Sequence, residues 1–71
     1  MMWRPIVGYE GNYWIDSHGN IKNKQGKLLK PIDCGGGVKK IDLYGKGQRE
    51  RKLVHTLVIE AFPEMFPDEE V

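Results

Sequence analysis

Cysteine is almost missing: Cys34 stands alone in 71 residues, so no disulfide can form within the chain, and a reducing cytoplasm is the expected setting. Histidine is scarce as well. His18 and His55 are the only two, which leaves few groups for a metal centre or a general base. No apolar run approaches the roughly 18 residues that a membrane helix needs, and Met1 to Val7 lacks the apolar stretch of a secretory signal. A soluble protein with no membrane partner is expected. With 39% hydrophobic residues in so short a chain, the core is small and near the lower limit for unaided folding. That argues against a large enzyme with its own enclosed active site.

What the chain does have is charge, 30% of its residues, and the two signs are segregated although the formal net charge is only +1. From Lys22 to Lys52 there are ten basic residues against three acidic ones, a local +7. From Glu60 to Val71 there are five acids and no base. A basic middle of this density can bind a polyanion by releasing its counterions. A solvated sheet face is the plainer account of the same charges.

Hydrophobic periodicity predicts an α+β fold: one small antiparallel sheet of four or five strands with a short C-terminal helix. Tyr13-Trp14-Ile15 and Ile21 to Asn23 read as strands around a turn at Ser17-His18-Gly19-Asn20. After Gln25-Gly26, Leu28 to Ile32 reads as a third strand that Pro31 pushes to a sheet edge. Asp33 to Gly37 is a glycine-rich loop. Val38 to Tyr44 alternates with period two, and Gly45 to Gln48 turns it back into Arg49 to Val54. His55 to Phe62 changes to a helical period, with Leu57, Val58, Ala61 and Phe62 on one stripe. Pro63 ends it. Residues 1–63 are therefore expected as a single domain and residues 64–71 as an acidic, flexible tail. The core is expected to hold most aromatic side chains, namely Trp3, Tyr9, Tyr13 and Phe62, with Trp14 partly exposed.

Several residues resemble a known module. Trp3-Arg4-Pro5-Ile6, followed by Gly8-Tyr9-Glu10-Gly11, Tyr13, Ile15, Gly19 and Ile21, is similar to the N-terminal motif of phage-type HNH homing endonucleases, a nuclease-associated modular domain. Leu29-Lys30-Pro31, the strand Gly37 to Leu43 and the helix Val54 to Phe62 resemble the family's next three motifs in order. Val38 stands where the family usually has tyrosine, and Thr56 where it has arginine. The resemblance implies an association with double-stranded DNA and a parent activity of metal-dependent cleavage. It also implies that the Asp-His pair and asparagine of the nuclease centre follow the helix, beyond the motifs that match here.

HNH chemistry needs a divalent ion and a histidine base held among carboxylate, histidine or asparagine ligands. With two histidines available, the expectation is that this chain binds DNA without cutting it, with no catalytic residue, metal ligand or cofactor of its own. The expected contacts are Lys39, Lys40, Lys46, Arg49, Arg51 and Lys52 on a twisted ribbon that fits a DNA groove, with His55 at the helix start beside it. His18 reads as a turn residue. Cys34 has no histidine or second cysteine at activating spacing, and Gly35-Gly36-Gly37 lacks the lysine and serine of a phosphate loop. An alternative from another class is a nuclease relic that binds a protein partner, regulating or inhibiting a nucleic-acid enzyme through the acidic Glu64 to Glu70. A homodimeric nuclease drawing ligands from both histidines and the acidic end is the third reading.

Overall fold

The computed structural model describes residues 2–66. The α+β class holds, and the strands divide between two antiparallel sheets. The first has β1 (Arg4–Pro5), β2 (Tyr13–Ile15), β3 (Ile21–Asn23) and β4 (Leu28–Leu29) in that order. The second has β5 (Ile32–Asp33), β6 (Lys39–Gly45) and β7 (Gln48–Leu53), and α1 (Val54–Ala61) follows directly. Residues Leu28 to Ile32, which read as one strand, are thus two. Leu28 and Leu29 pair with Lys22 and Ile21, whereas Ile32 pairs with Lys40. Pro31 lies at the break because it has no N–H to continue a ladder. β1 has no counterpart among the expected strands; it is two residues long and carries Pro5 on the sheet edge.

Short strands need strong turns. Between β2 and β3 the Asp16 carboxylate accepts the backbone N–H groups of His18 and Asn20 and the Asn20 side-chain amide, each at 2.9 Å. Asp16 is 1% exposed. Burial works to raise its pKa, but the hydrogen bonds from Asn20 and His18 outweigh burial and hold it below the ordinary carboxylate value. Asn23 repeats the device between β3 and β4, its Oδ1 accepting from the N–H groups of Gln25 and Lys27 at 3.0 Å. Gly19 has φ +89°, and a Cβ there would lie 3.2 Å from a Val54 methyl, so the first turn packs its bare backbone against the helix.

The buried core consists of Ile6, Ile15, Ile21, Ile41, Leu43, Phe62 and the helix stripe Val54, Leu57, Val58 and Ala61. Isoleucine dominates where aromatic residues were expected. Phe62 alone of the expected aromatics is buried, while Trp3, Tyr9, Tyr13 and Trp14 are half-buried around the margin. Tyr9 and Tyr13 pack against the core from its margin, and three of the four find polar contacts there. Lys22 places its ammonium 4.5 Å from the Trp3 ring. The Tyr13 hydroxyl accepts the Tyr44 backbone N–H at 3.1 Å, and the Tyr9 hydroxyl donates to Glu50. Those last two contacts join the first sheet to the second.

The end of α1 is tied to the first strand. Arg4 donates to the Ala61 carbonyl at 2.9 Å, lies 4.4 Å over the Phe62 ring and pairs with Glu64 at 2.6 Å. Its hydrogen bond to Glu64 raises the guanidinium pKa and lowers that of the carboxyl. Pro63–Met65 forms a single 3₁₀ turn, so Glu64 belongs to a described contact; the remainder of the expected tail, 67–71, lies outside the described residues. No described helix is long and apolar enough to cross a membrane.

Candidate nucleic-acid interface

The β6–β7 ribbon sorts its residues by register. Residues paired across an antiparallel ladder share a face, so Lys52 and Glu50 lie on the same side as Ile41 and Leu43, which enter the core, but at its solvent-exposed edge. The opposite face carries Lys40, Asp42 and Tyr44 from β6 and Leu53, Arg51 and Arg49 from β7. Lys46 and Gly47, with φ of +54° and +75°, make the two-residue turn and put the Lys46 side chain at the tip.

The outward face is basic with one internal pairing. Arg51 donates to both oxygens of Asp42, at 2.8 and 3.2 Å. That contact raises the Arg51 pKa and lowers that of Asp42. Among the described residues no ion pair engages Lys40, Lys46 or Arg49. Their charge faces water. Tyr44 lies between them, 58% exposed although it is a large aromatic.

Of the seven residues expected to contact DNA, Lys40, Arg49 and Arg51 are brought together on this face and Lys46 extends it at the tip. Lys52 lies on the other side, 3.7 Å from Glu50. Glu50 in turn accepts from Tyr9, which pushes the tyrosine up to about 12 and lowers the carboxyl. Lys39 and His55 do not join the outward face either; both line a cleft beside the helix, with His18. Tyr44 shares the face, as the period-two alternation already put it with Lys40. Asn23 and Lys30 line a groove of about 290 Å³ that reaches Tyr44 from the first sheet, a neighbourhood that local charge does not reveal.

Residues 1–44 match the family pattern described as the NUMOD4 motif. The chain belongs to the NUMOD4 family. Over 69 residues this NUMOD4 chain is 35% identical to the DNA endonuclease I-HmuI of Bacillus phage SP01, an alignment that spans 96% of the chain and 40% of that relative. The solved structure describing DNA binding and cleavage by the HNH homing endonuclease I-HmuI matches with a TM-score of 0.78 and 36% identity. That match spans 87% of this chain and 36% of the other. The resemblance read from Trp3 to Phe62 is therefore a relationship to a phage HNH homing endonuclease, and the chain spans about 40% of that relative's length.

The divalent ion that such a relationship implies has no fitting donor set among the described residues. No three His, Cys, Asp or Glu side chains come together there in a metal-holding group. Asp16 is spent on its turn, Asp42 on Arg51 and Glu64 on Arg4.

Proposed function

We propose that this NUMOD4 chain binds double-stranded DNA and positions it for an HNH-type endonuclease, with binding, not cleavage, assigned to residues 2–66. The carrying observation is the outward face of the β6–β7 ribbon, where Lys40 and Arg49 stand around the exposed Tyr44 with no ion-pair partner among the described residues. A two-stranded ribbon fits the roughly 12 Å width of the major groove. Lys40, Lys46 and Arg49 take phosphates on either side, and Tyr44 packs against sugar or base edges between them. Arg51 joins when a phosphate replaces Asp42 as its acceptor. Lys39, Lys52 and His55 act from the flanks, contributing to the field more than to direct contact. The relative's own DNA binding and cleavage support the choice of polyanion.

Fluorescence anisotropy of a labelled mixed-sequence duplex, titrated at two salt concentrations, tests this reading. Binding should weaken as salt rises, by about 0.9 in logarithmic slope for each phosphate engaged. Replacing Lys40 and Arg49 with alanine should lower both the affinity and the slope. Equal binding by the wild type and the double variant would overturn the assignment of the face.

A further inference from the structure

A second site lies away from the ribbon's outward face. A cleft of about 430 Å³ opens between the turn that follows Asp16, the start of β6 and one side of α1. Val54, Val58 and Phe66 form an apolar floor, and His18, His55 and Lys39 stand at its rim. Val54 and Val58 are buried, whereas Phe66 and Ile59 are 46% and 42% exposed, so the open apolar area of the cleft is chiefly theirs. The volume falls in the range of about 300–1,000 Å³ typical of small-molecule sites, which pair an apolar lining with a few convergent polar groups.

Among the described residues the cleft is lined by the Lys39 ammonium and two imidazoles and by no carboxylate. Asp16 is next to it in sequence, yet it is buried and both its oxygens accept hydrogen bonds within the turn. Glu64, just past the helix, is held by Arg4. The turn lies close against the floor, with too little room at Gly19 for a Cβ beside Val54. A small inorganic anion would satisfy the rim and leave the floor wet, while a purely apolar ligand would leave an ammonium and two imidazoles unmatched.

We infer that this cleft binds a single nucleotide, with the base against Val54, Val58 and Phe66 and the phosphate among His18, His55 and Lys39. The same chemistry is offered by a free mononucleotide or by an unstacked nucleotide of a strand. None of the residues that line the cleft lies on the ribbon's outward face, although Lys39 and His55 also flank the duplex in the reading proposed above.

NMR of the full chain, following the imidazole signals and the Val54 and Val58 methyl groups, tests it with three probes. These are deoxyadenosine monophosphate, inorganic phosphate and a short single-stranded oligodeoxynucleotide. Saturable movement of imidazoles and methyls together is expected with the nucleotide or the oligonucleotide. Saturation by the mononucleotide makes a free nucleotide a sufficient ligand, and a response to the oligonucleotide alone assigns the site to a strand; either supports the inference. The pair His18→Ala and His55→Ala, both at exposed positions, should weaken this binding about tenfold, whereas Lys40→Ala with Arg49→Ala, on the ribbon's outward face, should leave it unchanged. Lys39→Ala is the second variant, and Trp3 and Trp14 emission checks the fold. Methyls that stay fixed at millimolar mononucleotide and oligonucleotide would overturn the site. So would inorganic phosphate reproducing the whole response, or deletion of residues 67–71 moving the same signals where no nucleotide does, which would make the chain's own acidic segment the occupant.

Discussion

The first sheet uses strands of two or three residues and depends on its turns, whereas β6 and β7 run for seven and six residues around a two-residue turn. In the first sheet the polar side chains are consumed in building structure: Asp16 and Asn23 each take up backbone N–H groups that a longer ladder would have paired. In the second, the ladder satisfies the backbone and Ile41 and Leu43 satisfy the core, so the whole outward face is released from structural duty. On the reading proposed above, a chain this small frees the outward face of its second sheet for recognition by leaving the turns to the first.

The largest test of that separation is Asp16→Ala. Removing the acceptor from a turn that is partly buried should destabilise the protein by about 3 kcal/mol, read by urea unfolding, without changing duplex affinity of the folded fraction. A loss below about 1 kcal/mol would transfer the turn's stability to Gly19 and its packing on Val54. The same carboxylate sets an acid limit. Its folded pKa is depressed, so its contribution is complete above the unfolded value of about 3.9 and is lost as pH falls through the lower folded value. Thermal unfolding followed below about pH 4 should show that loss in the wild type and not in Asp16→Ala.

Next in size is the opposite experiment on the second sheet. Lys40→Ala with Arg49→Ala should reduce duplex affinity about tenfold at low salt and flatten the logarithmic salt slope by about 2. Stability should change by no more than about 0.5 kcal/mol; a marked fall in the unfolding midpoint would mean that the outward face is structural after all. Asp42→Asn sharpens the point with a gain. It frees Arg51 and removes the acid from the face, so affinity should rise about threefold, the scale of one exposed ion pair. The smallest effect is at the join between the sheets. A tyrosine titrating at about 12 should appear in phenolate absorbance and vanish in Tyr9→Phe. Because the folded value is raised, the Tyr9–Glu50 contact is fully present below the ordinary tyrosine value and is lost as pH rises through about 12.

What was legible beforehand follows the same division. The ribbon and the helix announce themselves through period: Ile41 and Leu43 alternate with charge, and Leu57, Val58 and Ala61 recur at helical spacing. Glycine and asparagine marked the turns. The separation into two sheets was not legible, because Pro31 signals a ladder's end without saying which neighbour the next residue takes. Arg4 and Pro5 gave no strand signal, since their pairing depends on Ile15 and Trp14 lying opposite. Among the candidate contacts, local charge singled out the ribbon but did not sort its faces. Lys52 and Arg51 are adjacent in sequence yet point to opposite sides, and the carboxylates that occupy them, Glu50 and Asp42, become partners only across the folded ladder or beside it. The aromatic expectation held for the buried Phe62 and the partly exposed Trp14, while Tyr9 and Tyr13 pack on the core only from its margin, where their hydroxyls keep polar partners.

Arg4 carries one more consequence. It belongs to the first strand, yet it holds the last turn of the helix and the residue after Pro63, so the described fold is a ring fastened by a single guanidinium clasp. A force applied between residues 4 and 64 would load that clasp before any strand. A short linker joining those two places, with a new opening cut at the exposed Gly35–Gly37 loop, should preserve both sheets in a circularly permuted chain.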